Sequence, residues 1–135
     1  MSVLSAFLHP ITTTEEKEVV ISKRFVDNKG NPVPFKIKAI TQEENDALVR
    51  AATRVEEKNG RRVEYLDSVD YSHRLVVAST VSPNFADKEL CDAYGVVSPL
   101  MVPGKMLLGG EFNRLMDAIT KLSNMDVSLE GDVKN

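Results

Sequence analysis

Few side chains in this sequence are of types that do covalent chemistry, and no spacing recruits them to it. Cys91 is the single cysteine. To act as a nucleophile it would need a neighbouring base, and no motif around it supplies one. As a small apolar residue in a short helical stretch it suits a packed core instead. His73 stands beside Arg74 with no cysteine or second histidine at ligand spacing, which fits a surface or hydrogen-bonded histidine better than a metal ligand or general base. Gly104-Lys105 shares two residues with a phosphate loop. Pro99 occupies the place of the loop's first glycine, however, and Met106 the place of its Ser or Thr. The glycines do not form G-x-G-x-x-G either. Arg61-Arg62 invites a phosphate contact, but acidic neighbours surround the pair and favour a solvated loop. Paired carboxylates in a cleft motif, a metal-ligand cluster and a Ser/His/Asp signature are all missing. The sequence therefore nominates no catalytic, cofactor-binding or metal-binding residue, and predicts a protein that is not an enzyme.

Composition points the same way. The chain has 135 residues, 42% apolar and 27% charged, which suits one soluble globular domain. Aromatics are only 6% and tryptophan is absent, so aliphatic side chains must build most of the core. A net charge of −3 argues against nucleic acid as a partner, because phosphate binding draws on clustered Lys and Arg. A lone cysteine suits a reducing cytoplasm. No stretch approaches the roughly 20 apolar residues that span a bilayer. The start of the chain has neither the basic region nor the apolar run of a signal peptide.

The elements that position these residues begin with Val19 to Val55. Val19, Ile21 and Phe25 share one face of a predicted strand. Asp27 to Pro32 is rich in turn formers. Phe35, Ile37 and Ala39 alternate with Lys36 and Lys38 in a second, half-buried strand. Thr41 and Glu44 have capping-box spacing, and Glu43, Glu44 and Asp46 favour the start of a helix. Ala47, Leu48, Ala51, Ala52 and Val55 line one side of that helix. Gly60 then reads as its terminator, and Val63, Tyr65 and Leu66 as a short extended piece that could add a third strand. Asp67 or Ser68 caps a second helix reaching about Val81, apolar round most of its circumference and so central. A short helix opens at Asp87 and ends at Gly95. Two helical pieces follow Leu100, with glycines between them. The fold class is α+β: a small N-terminal antiparallel β-hairpin packed on a mainly helical body of four to five helices. Residues 1–16 form an N-terminal arm, 17–124 a single domain, and 125–135 a flexible polar tail.

Two apolar surfaces qualify as candidate binding sites. Leu108, Phe112, Leu115, Ile119 and Leu122 step by four, three, four and three along the last helix, and Met116 widens the stripe. The same spacing serves a helix that closes a core and a helix face that binds an apolar partner segment. Methionines at 101, 106, 116 and 125 would make such a face adaptable. The second surface is Phe7 and Leu8 on the arm, ahead of the helix-stopping Pro10. The candidate contact residues are thus Leu108, Phe112, Leu115, Met116, Ile119, Phe7 and Leu8.

The wording of the segments adds a resemblance. Ile21-Ser-Lys-Arg-Phe25, followed by Val33-Pro-Phe-Lys-Ile-Lys-Ala-Ile-Thr-Gln-Glu-Glu-Asn45, resembles the XkdN-like tail assembly chaperones of phages and prophages of Gram-positive bacteria. Arg74-Leu-Val-Val-Ala-Ser79, Tyr94-Gly95 and Lys105-Met-Leu-Leu-Gly-Gly-Glu-Phe112 are similar to later segments of that family, in the same order. The resemblance implies a protein of the bacterial host cytoplasm, absent from the mature particle. It would bind the long apolar tape measure protein non-covalently and keep it soluble while the tail assembles. The major tail tube protein is a further partner by the same implication, and self-association stays open. The alternative is a structural tail or head-completion protein that remains in the particle.

Overall fold

The computed structural model describes residues 3–11 and 16–124. The predicted polar tail, with Met125, and residues 1–2 and 12–15 of the predicted N-terminal arm lie outside the described residues. The element order is α1 (Val3–Leu8), β1 (Glu16–Val19), β2 (Phe35–Lys38), α2 (Gln42–Ala52), β3 (Thr53–Lys58), β4 (Arg61–Leu66), α3 (Ser68–Ser79), β5 (Thr80–Ser82), α4 (Lys88–Ala93), a 3-10 turn (Pro99–Met101), α5 (Val102–Met106) and α6 (Gly109–Leu122). This is the α+β class that the sequence predicts, with an N-terminal hairpin on a helical body.

The hairpin is β1 against β2, antiparallel, with Val19 opposite Phe35 and Lys17 opposite Ile37. Its alternation works as predicted for Phe35 and Ile37, which are buried between half-buried lysines, but β2 ends at Lys38 and the next buried residue is Ile40 rather than Ala39. Its first strand is shifted, ending at Val19 rather than running on to Phe25. Residues 20–34 leave the ladder and close a smaller loop, in which Asp27 Oδ1 accepts from the backbone N–H of Lys29 (2.8 Å) and Asn31 (3.0 Å). Gly30 takes a positive φ of 81° there. The third strand of this sheet is β5, which pairs with β2, and not the Val63–Leu66 segment.

Thr41 caps α2 as expected: its hydroxyl accepts from the Glu44 N–H (3.2 Å), and the Glu44 carboxylate accepts from the Thr41 N–H (3.0 Å). The helix is shorter than predicted. It ends at Ala52, the one fully buried residue of its apolar side, and Val55 belongs to β3 with its side chain exposed. Thr53 turns the chain extended, and its hydroxyl caps the Val49 carbonyl (2.7 Å). The expected terminator Gly60 is a hairpin turn instead. Asn59 and Gly60 both have positive φ, 53° and 75°, the geometry of the two-residue turn that matches strand twist. Strands β3 and β4 pair from Thr53↔Leu66 to Lys58↔Arg61 as a separate two-stranded sheet.

Asp67 caps α3, accepting from the Asp70 N–H (3.1 Å). The helix stops at Ser79, and Val81 falls in β5. It is central, as its apolar circumference predicts. Leu75 and Val76 are buried among β2, Phe85, Val102 and the inner face of α6. Asp87 opens α4, accepting from the N–H groups of Glu89 and Leu90.

Candidate partner-binding surfaces

Residue by residue, α6 divides its stripe between core and surface. Leu115 and Ile119 are 0% exposed, and Phe112, Met116 and Leu122 are half-buried against the same core. Phe112 also stacks on the His73 ring, centroids 4.9 Å apart, which gives the histidine a packing role. Leu108 leaves the stripe. It is the N-cap, with extended backbone, and its side chain is 59% exposed while Leu107 turns inward. A helix seam of this spacing fits an internal neighbour as well as a foreign one, and here the neighbours are β2, α3 and the segment before the first turn.

That segment is fixed to α6 by ionic and backbone contacts. Glu111 stands at the third position of α6 and is only 3% exposed. Its carboxylate accepts from Arg24 Nε (2.8 Å) and Nη2 (2.5 Å) in a forked pair, and from the Leu108 N–H (2.8 Å). The second Arg24 nitrogen also donates to the Met106 carbonyl (3.1 Å). Hydrogen bonding to Arg24, aided by Ser22 and the Leu108 amide, outweighs desolvation and holds the Glu111 carboxyl at a pKa of about 2. The Arg24 guanidinium lies 4.9 Å from the centroid of Phe25, which in turn packs against Phe35. One turn further along α6, Arg114 Nε donates to the Ile21 carbonyl (2.8 Å), and at its far end Ser123 Oγ accepts from the Ile40 N–H (3.2 Å). Sequence reasoning missed this clamp. The signal was present as Glu111 three residues after the helix start, but Leu108 has no side-chain oxygen to complete a capping box, so the glutamate did not stand out.

A second ionic group fixes the base of the β3–β4 hairpin. Arg54 is paired with Asp70, which also accepts from Arg74 Nε (3.1 Å). Partial burial pushes the Asp70 carboxyl upward, yet the two guanidiniums prevail and hold it below the usual aspartate range.

The other candidate surface is open. All six residues of α1 lack burial, with Phe7 76% and Leu8 62% exposed, and Val3, Leu4 and Ile11 are exposed beside them. Five apolar side chains on one short segment are thus uncovered by the rest of the described protein.

Cys91 is buried, and its Sγ contacts the Phe85 carbonyl at 3.3 Å. Among the described residues no group of three or more His, Cys, Asp and Glu side chains could hold a metal ion. An open groove between α3 and α5 is lined by Val69, His73, Leu100 and Met101, with Arg54 and Lys105 at its rim. No described helix is long and apolar enough to cross a membrane.

The profile of the phage XkdN-like tail assembly chaperone proteins matches residues 4–135. The chain is 38% identical over 129 residues to the phage-like element PBSX protein XkdN of Bacillus subtilis strain 168, covering 93% of this chain and 87% of that one. It is 44% identical over 118 residues to the uncharacterized protein YqbN of the same strain, covering 86% and 79% respectively. The crystal structure of YqbN superposes with a TM-score of 0.71 at 35% identity, over 90% of this chain and 96% of that one. The chain belongs to the XkdN-like phage tail assembly chaperone family.

Proposed function

We propose that this chaperone binds the apolar, helical tape measure protein non-covalently in the host cytoplasm and keeps it soluble until tail tube subunits surround it. The chain then leaves and is absent from the finished particle. Family membership supports the tail-assembly part of this reading. The observation that carries the contact is α1, whose apolar side chains have no cover of their own. A contiguous exposed apolar surface marks an interaction site more often than chance exposure does.

Of the residues nominated for binding, Phe7 and Leu8 are the primary contacts, with Leu108 as the exposed member of the α6 set. Phe112 and Met116 take part only at their half-open edges. Leu115 and Ile119 hold the helix in place from inside. The test is co-expression with the tape measure protein encoded nearby, followed by affinity capture. The reading expects a soluble tape measure protein that co-purifies, and purified particles whose mass spectra lack this chain. Insoluble tape measure protein, or this chain retained in particles, would sink it.

A further inference from the structure

The β3–β4 hairpin is a second uncovered region, and its chemistry selects a different occupant from α1. Every residue from 55 to 66 is exposed, although an isolated two-stranded hairpin is marginal in water. Neither strand has another strand beside it among the described residues. The geometry points to self-association: two copies of this chain join β4 to β4 in antiparallel fashion, forming a continuous four-stranded sheet about a two-fold axis at Val63.

The register follows from backbone direction. The Asp67 N–H donates to the Ala52 carbonyl (2.9 Å), which makes 52 and 67 a hydrogen-bonded pair of the ladder. The pairs 54/65, 56/63 and 58/61 are then hydrogen-bonded too, by the alternation of antiparallel ladders. Arg62, Glu64 and Leu66 accordingly aim their N–H and C=O groups away from β3, at the open edge. A two-fold antiparallel partner must match outward residues with outward residues, which leaves few registers. One sets Arg62 opposite Arg62 of the second copy, and another sets Glu64 opposite Glu64, each a like-charge clash. The register between them sets Arg62 opposite Glu64 twice, Arg61 opposite Tyr65 twice, and Val63 opposite Val63. It pairs both ions, offers each Arg61 guanidinium a tyrosine ring, and covers the exposed valines. Arg62 and Glu64 already lie on one face of β4, 3.7 Å apart, so the exchange of partners needs little movement.

The β3 edge is a poorer template. The Thr53 N–H and hydroxyl are used by the end of α2, and Arg54 is held by Asp70. The β1 edge is short and carries Glu16, Lys17 and Glu18, the kind of charged edge that discourages pairing.

Sedimentation velocity on the full chain, over a concentration series, tests the inference with three charge variants. Wild type dimerises. Arg62→Glu and Glu64→Arg each place like charges opposite and weaken the dimer about tenfold. The double variant Arg62→Glu/Glu64→Arg restores it. Oxidised Val63→Cys forms a disulfide-linked dimer, and Val55→Cys does not. A wild type that stays monomeric, singles that dimerise like wild type, a double variant without rescue, or a cross-link at Val55 instead of Val63 would each overturn the proposal. A monomer that still gains a strand from an added extended peptide would assign the edge to another protein.

Discussion

The protein contains two short antiparallel hairpins, and they have opposite fates. The β1–β2 hairpin lies on the helical body: Phe35 and Ile37 face the core, β5 covers one edge, and the loop between its strands is clamped to α6 through Arg24, Glu111 and Arg114. The β3–β4 hairpin has a firm base at Arg54, Asp67 and Asp70, but beyond it all side chains stand in solvent. The difference lies in the residues each can offer the interior. Strand β2 gives two large apolar side chains to one face, whereas β4 gives one face Val63 and Tyr65 and the other Arg62 and Glu64. A face of mixed charge cannot close a core, though it can meet a matched copy of itself. The α6 stripe is thus largely spent on the molecule's own core, whereas the apolar side chains of α1 and the whole of β4 stay exposed.

The most severe way to break the inner region is Leu115→Ala. A fully buried leucine cut to a methyl group costs about 2–5 kcal/mol, and a denaturant titration should show that loss. The Glu111 clamp comes next and is read by pH. Its carboxyl ordinarily titrates near 4.5 and sits at about 2 when folded, so the unfolded chain binds that proton more readily. The stability it contributes is complete above about pH 4.5 and is lost as the pH falls towards 2. Glu111→Gln should be less stable at neutral pH and should lose that part of the acid-side slope in unfolding midpoints across pH. A slope identical to wild type would show that the pair adds nothing. Thr41→Ala removes the α2 cap and should cost about 1 kcal/mol by thermal unfolding. The smallest stability effect belongs to the outer region. Phe7→Asp with Leu8→Asp should leave stability within about 0.5 kcal/mol, because neither side chain is covered.

These contrasts also show what could be read from residue order. The β2 alternation, the Thr41 capping box, the Asp67 and Asp87 caps and the central place of α3 were legible because each is local: a period of two, a hydroxyl three residues before a carboxylate, an apolar circumference. The break at Ala52 was missed, although Asn59-Gly60 between Thr53–Lys58 and Arg61–Leu66 is a strong hairpin signal. Helix periodicity in Ala47 to Ala52 simply ran on to include Val55. The clamp was hard to read because Arg24 and Glu111 are 87 residues apart, and the one local sign, Glu111 at the third position of α6, follows an N-cap leucine with no side-chain oxygen to complete the box. The α6 stripe was found, but not its use. Only the tertiary neighbours distinguish a seam filled by its own chain from one left for another, and they cover Leu115 and Ile119 while leaving Leu108, Phe7 and Leu8 in the open.

The most direct test of this division compares capture of the tape measure protein by wild type and by the Phe7→Asp/Leu8→Asp variant, with unfolding midpoints taken on the same samples. Equal stability, with capture by wild type alone, is the expected result. Undiminished capture by the variant would contradict it and return the binding surface to another part of the molecule.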